Sequence, residues 1–339
     1  MRRGYTRFYT LLRMWSRARR AYRRRMVDAS SGPAVVPSAT VTATVLDAAR
    51  RNAVRHPGRP ALIGSGRQVG FSRFAVVVPA AAAGMARHGV RMRDVVAVHL
   101  ADPCDAALAV HAATAAGAVP APLPAHASAI ELARLMNECG ARFLLTGSGE
   151  EAVLALTATE RTYIRQVFAF GDLPGATPFA RLVDDREGPD PASLAAGLDP
   201  LRDAALRLCD PPEELTHADR LADLYRLGAA AGIADGDVVA CCPEDCTPPT
   251  WFGLMDLCLT QGATFAGVPD RAPLSLLAAI ETHHADLAVV TPAKLRALAF
   301  QPEPPATGRE VRLLVTGTAD PDVVRTCRAR LGWTVTFLV

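Results

Sequence analysis

The chain has 339 residues, of which 50% are hydrophobic, 21% charged and 6% aromatic, a balance that excludes a disordered protein, a collagen-like fibre and a small disulfide-stapled scaffold. No apolar run reaches the about 18 residues that a transmembrane helix needs, so a soluble globular chain is expected. The formal charge of +3 hides a segregation: residues 1–25 hold 10 Arg and no acid, while the rest carries 27 basic against 34 acidic residues. A block of one sign marks a tail or a surface-binding segment rather than a core. Among the 37 Lys and Arg residues the single lysine is Lys294.

Residues 1–26 set Tyr5, Phe8, Tyr9, Leu12, Trp15, Tyr22 and Met26 near helical spacing among arginines. This predicts a basic amphipathic helix suited to an anionic membrane surface. The same pattern also fits a helix packed on its own body or on a partner, or a transit-like segment. Residues 27–43 read as a linker rich in Ser, Pro, Ala, Thr and Val. Helices and short apolar strands then alternate. A helix is predicted from about 44 to 55, a strand at 61–63, a helix over 72–88, a strand at 95–100 and a helix over 104–116. A strand at 117–123, a helix over 129–137 and a strand at 142–146 complete a first α/β subdomain, 44–200, whose last part (172–200) is loop-rich. The second, 201–339, begins with strand 205–208 and helix 217–231. It continues with strand 237–242, helix 250–260, strand 263–268, helix 273–284, strand 287–291 and helix 292–299, and ends with strand 311–316, helix 322–331 and strand 334–339. Strands separated by helices in this way predict an α/β fold of two successive layered subdomains with largely parallel sheets.

Eight cysteines are present, not spaced as a disulfide framework and not preceded by a secretory signal, which points to a reducing cytoplasm. The cluster Cys241-Cys242-x3-Cys246 has no second Cys or His pair at zinc spacing, so buried thiols fit it better than a metal. The adjacent His283 and His284 point to different sides of a helix end and make a poor metal pair. Gly64-Ser65-Gly66 reads as a turn more readily than as a phosphate cradle.

In order along the chain, several local sequences resemble the large N-terminal domain of the adenylate-forming acyl-CoA synthetase superfamily. His56-Pro57-Gly58-Arg59-Pro60-Ala61-Leu62 is similar to its opening "h-P-x-x-P-A-l". Gly89-Val90-Arg91-Met92-Arg93-Asp94-Val95-Val96-Ala97-Val98 is similar to "G-v-x-x-G-D-x-V-A-v", with Arg93 at a usual glycine. Ala116-Gly117-Ala118-Val119-Pro120-Ala121-Pro122-Leu123 follows "a-G-A-v-x-v-p-L". Thr216-His217 resembles "t-H-x-n-l", Gly262-Ala263-Thr264 resembles "G-a-t", and Thr291-Pro292 follows in sequence. Val315-Thr316-Gly317-Thr318-Ala319 resembles the "s-G-G-A" that borders adenine in the family, so Gly317, Thr318 and Ala319 are the expected remnant of an adenine edge.

The resemblance implies activation of a carboxylic acid by ATP and magnesium, with transfer of the acyl group to a thiol such as CoA. A triphosphate needs a Ser/Thr/Gly-rich loop of amides and hydroxyls with a cation. In the family that loop directly precedes the "t-H" pair. Here residues 204–212 contain no Gly, Ser or Thr, the lysine's place falls on Pro211, and Asp210, Pro212, Glu213 and Glu214 surround it. A deleted loop fits better than a substituted one, because 205–208 reads as the preceding strand, and the acidic turn is expected to repel phosphate. Arg207 is the one nearby cation. In the family's "P-x-x-H" turn near the acyl pocket, Pro243-Glu244-Asp245-Cys246 puts a thiol in the His position. Trp251 fits either a leftover acyl groove or an ordinary core tryptophan. The family's "Y-G-x-T-E" motif would begin beyond Val339, and the C-terminal lid with its lysine is missing from this sequence; Lys294, on a helix in another domain, is not expected to replace it.

These features predict a degenerate acyl-CoA-synthetase-like protein with no catalytic residue set and no metal. It would bind or scaffold, with a fatty acid or acyl group as ligand, and would be cytoplasmic with residues 1–26 at a membrane surface. The alternative is one part of a working AMP-forming fatty-acid or carboxylate-CoA ligase, for which ATP, magnesium and CoA would be needed. The acidic body and the lack of a recognition motif speak against nucleic acid.

Overall fold

Thr40 starts the first helix. Its hydroxyl accepts the Ala43 N–H at 3.2 Å, and Val41–Arg55 follows. The helix thus begins three residues before the predicted start and takes in residues 41–43, which read as linker because Val and Thr are poor helix formers by propensity alone. Burial of Val41, Val45 and Ala49 outweighs that preference. The computed structural model describes residues 39–184, 191–301 and 310–338; the basic segment 1–26 lies outside them.

Five parallel strands make the first sheet: β3 (Val95–His99), β4 (Val119–Pro122), β5 (Phe143–Thr146), β6 (Gln166–Ala169) and β7 (Thr177–Pro178), in the order β4-β3-β5-β6-β7. The second sheet has seven. Besides β10 (Val238–Cys241), β11 (Thr264–Gly267), β12 (Leu287–Val290), β13 (Arg312–Thr316) and β14 (Thr334–Leu338), it contains β1 (Pro60–Ile63) and the antiparallel edge strand β2 (Gln68–Gly70), in the order β14-β13-β12-β10-β11-β1-β2. The central strands are only four or five residues long and almost wholly buried, as expected of parallel strands covered on both faces.

The sheets therefore do not divide the chain at residue 200. Strand β1 leaves the first subdomain and pairs with β11, Leu62 opposite Phe265 and Ile63 opposite Ala266. The Thr264 hydroxyl donates to the Pro60 carbonyl at 2.7 Å, and Arg59 reaches both Asp235 and the Gly262 carbonyl. A four-residue apolar strand carries no record of its partner in its own pattern, so this pairing is invisible to periodicity. The helix Gly149–Thr159 and the short helix Phe179–Asp184 add elements to the stretch before residue 200.

Helices of both halves meet around a buried polar cluster. Asp256, on helix Pro248–Gln261, accepts from His111 Nε2 at 2.8 Å and from Arg220 Nη2 at 2.5 Å; Thr42 Oγ1 lies 2.9 Å from His111 Nδ1. Asn52 donates to the Leu259 carbonyl at 2.9 Å beside it. Among the described residues no helix is long and apolar enough to cross a membrane.

Candidate functional site

Ligands of open parallel α/β sheets bind at the carboxyl ends of the strands where the strand order reverses. In the seven-stranded sheet that point lies between β10, whose successor β11 pairs on one side, and β12, which pairs on the other. Just past β10 the chain makes a 3-10 turn, Pro243–Asp245, and runs through Cys246 into helix Pro248–Gln261. Past β12, Thr291 caps helix Pro292–Ala299 by accepting the Lys294 N–H at 3.2 Å. These two turns bring Asp245 and Lys294 together: the Lys294 ammonium donates to the Asp245 carboxylate, with both side chains buried. Burial raises the Asp245 carboxyl above its ordinary range, outweighing the opposing pull of the Lys294 charge. The Thr316 hydroxyl at the end of β13 donates to the Asp245 carbonyl at 2.8 Å and ties a third strand end to the turn. Glu244 faces outward from the same turn, 2.5 Å from His126 Nε2 and 3.7 Å from Arg271. His126 belongs to the segment after β4, so the strand ends of the two sheets meet here.

The residues expected at this place fall as follows. Gly317, Thr318 and Ala319 lie just past β13, with Gly317 at φ +116°, a backbone conformation that favours glycine. Cys246 is half-buried against the core, and Trp251 is buried with its ring edge-on to Phe252 and Phe265, which makes it a core tryptophan. Asp245 and Lys294 were not singled out as a site pair. The signal was the presence of one lysine among 36 arginines, but nothing in the spacing joins two residues 49 positions apart.

The place of the family's phosphate loop is a β-hairpin. Strand β8 (Ala204–Cys209) pairs antiparallel with β9 (Pro212–Thr216), Cys209 opposite Pro212, which leaves Asp210 and Pro211 as the entire turn. Neither Pro211 nor Pro212 has an amide N–H, so this turn cannot present the row of donors that a triphosphate needs. The hairpin therefore lacks the amide cradle that a triphosphate needs. Two arginines reach this turn. Glu214 is held by Arg207, whose Nη1 also donates to the Cys139 carbonyl at 2.7 Å, and Asp210 lies 3.8 Å from Arg134. Arg134 is shared with Glu138, which it meets at 2.7 Å, and Arg207 is taken by Glu214, so neither arginine is a free cation for phosphate. The missing amides set this turn apart from a phosphate loop.

Thr216 and His217 serve the fold. Thr216 caps helix His217–Ala231 in a reciprocal box with Asp219, accepting its N–H at 3.1 Å while the Thr216 N–H donates to the Asp219 carboxylate at 3.0 Å. His217 is buried, and its pKa is lowered to about 4 by that burial and by the Arg220 charge, against the opposing Asp203. Between pH 6.5 and 4 the unfolded chain gains a proton at this position and the native chain does not. Stability is therefore expected to fall as pH falls through that window, by roughly 3 kcal/mol at completion. Denaturant midpoints at pH 7.5, 5.5 and 4.5 should drop less steeply for His217→Gln than for the parent chain; parallel slopes would refute the assignment.

The remaining candidates are occupied by the chain itself. In the Gly64-Ser65-Gly66 turn, the Ser65 N–H donates to Asp102 at 2.7 Å, and a Cβ at Gly64 would collide with that carboxylate. Among the described residues no group of three or more His, Cys, Asp or Glu side chains is arranged to hold a metal.

The family model for AMP-binding enzymes matches residues 49–200. No curated protein matches the chain in sequence. Solved structures are similar over most of it. A long-chain-fatty-acid-CoA ligase from Archaeoglobus fulgidus is 19% identical with a TM-score of 0.72, over 87% of this chain and 63% of its own. MbtA from Mycobacterium smegmatis is 22% identical with a TM-score of 0.71, over 92% and 58%. A benzoate CoA ligase from Burkholderia xenovorans is 20% identical with a TM-score of 0.72, over 88% and 60%. The chain thus spans about three fifths of the length of these proteins. The family-model match is confined to residues 49–200, and the chain takes the α/β fold seen in the N-terminal part of these acyl-CoA ligases.

Proposed function

We propose that this chain is a ligase-like domain that does not adenylate carboxylic acids by itself and acts as a binding or scaffolding module, with a fatty acid or other acyl group as its ligand class. The observation that carries the reading is the two-residue Asp210-Pro211 turn where a triphosphate would need an amide-lined loop. Adenylation places large negative charge on the phosphates in the transition state, and without donors and a cation aimed at it the barrier is not lowered. The crevice at the ends of β10 and β12 gives the same answer: its one ammonium is committed to Asp245.

The test uses the full chain with ATP, magnesium and a panel of fatty and aromatic acids. No pyrophosphate release above the protein-free blank and no calorimetric heat of ATP binding are expected. Turnover by the chain alone would overturn the reading. The family match over residues 49–200 favours a second reading, in which the chain is one part of an AMP-forming ligase that uses ATP, magnesium and CoA. That reading requires pyrophosphate release to appear when a second protein supplying the phosphate loop and lid is added.

A further inference from the structure

We propose that Cys241 and Cys246 form an oxidation site at the rim of the β10–β12 crevice, where a hydroperoxide converts the two thiols to an intrachain disulfide. The inference does not depend on whether the chain adenylates. The two sulfurs lie 3.4 Å apart across the Pro243–Asp245 turn. Cys241 is buried at the end of β10, whereas Cys246 is half-buried and so gives an oxidant access to the pair. The other six cysteines are all buried. Cys139 and Cys209 are also hydrogen-bonded neighbours, but neither is open to solvent, and they form the internal comparison.

The chemistry balances with the peroxide as the only oxidant. The Cys246 thiolate attacks one peroxide oxygen; an S–O bond forms, the O–O bond breaks, and the departing alkoxide or hydroxide takes a proton. The Cys241 sulfur then displaces hydroxide from the Cys246 sulfenic acid; the S–S bond forms, the S–O bond breaks, and hydroxide leaves as water with the Cys241 proton. Two thiols are oxidised and the peroxide is reduced to an alcohol, or to water, plus one water.

Bond formation brings the sulfurs from 3.4 Å to about 2.0 Å, the length of a disulfide. The chain between them holds Asp245, whose carboxylate receives the Lys294 ammonium and whose carbonyl receives the Thr316 hydroxyl. Closing the loop therefore moves Asp245 and loosens Lys294. Because Lys294 is the chain's single lysine, an amine-acylating reagent labels only it and the α-amino group, which gives a clean second signal.

The experiment treats the reduced full chain with hydrogen peroxide, alkylates the remaining thiols under denaturing conditions and cleaves at Glu244, between the two cysteines. Six of the eight cysteines should be alkylated, the fragments bearing Cys241 and Cys246 should stay linked until dithiothreitol is added, and Lys294 acylation should rise several-fold. Cys246→Ser, at a half-buried position, should fold and show neither the link nor the rise. The proposal is overturned if all eight thiols survive, if the link joins Cys139 to Cys209, if Cys246 stops at the sulfinic acid, or if Cys246→Ser acylates Lys294 on oxidation as the parent does.

Discussion

Asp256→Asn is expected to lower the folding free energy by about 3–5 kcal/mol, read from the denaturant midpoint at pH 7.5. Asp256 is 3% exposed and sits between His111 Nε2 and Arg220 Nη2. Burial alone would raise its pKa, yet Arg220 and His111 hold it below the ordinary carboxylate range, so the carboxylate is the form the site selects. An amide of nearly the same shape removes the charge and leaves the Arg220 guanidinium buried without its counter-ion. Loss of one partner from a buried pair costs far more than the pair contributes over a hydrophobic replacement. The cluster joins helices Val41–Arg55, Pro103–Ala115, His217–Ala231 and Pro248–Gln261, drawn from both halves of the sequence. The loss should therefore appear as a single cooperative transition at lower denaturant. A shift below about 1 kcal/mol, the range of an exposed ion pair, would show that the cluster is not what holds the four helices together.

The second large effect is expected at Lys294. Lys294→Met keeps the length of the stem but strands the Asp245 carboxylate in a site that already raises its pKa. A cost of about 3–5 kcal/mol follows from an uncompensated buried charge. The double variant Asp245→Leu/Lys294→Met should recover most of that loss, because buried ion pairs replaced by apolar groups of similar volume come out near neutral. The midpoints of the two single variants and the double variant form a thermodynamic cycle. If the double variant is as unstable as the sum of the singles, the two side chains do not interact and the geometry assigned to the crevice is wrong. The result also bears on function, since a pair that rigidifies the ends of β10 and β12 sets the shape of any acyl site between them.

The parallel α/β class was legible because its strands are short apolar runs between amphipathic helices and its helix signals are strong. His217–Ala231 and Pro292–Ala299 have the predicted bounds, each starting from a Thr cap and, in the second, a proline at the first turn. The absence of Gly, Ser and Thr before Thr216-His217 was equally plain, since it is a property of composition. What composition did not show is that Arg134 reaches that turn from helix Ala129–Glu138, whereas Arg207 stands in the adjoining strand itself. The placement of β1 beside β11 escaped the sequence for a related reason: parallel partners are chosen by contacts some 200 residues away.

By itself, then, the order of residues determined most of the central helices and strands and the lack of Gly, Ser and Thr before Thr216, since both follow from local propensity and from which groups are present. Helix Gly149–Thr159 and the short strands β2, β6, β7 and β9 escaped it. Tertiary structure alone decided which charges meet. Asp245 finds Lys294, and Asp256 finds His111 and Arg220, only because strand order and helix packing carry them to the same point. Coulomb energy and burial depend on distance in space, which spacing along the chain does not record.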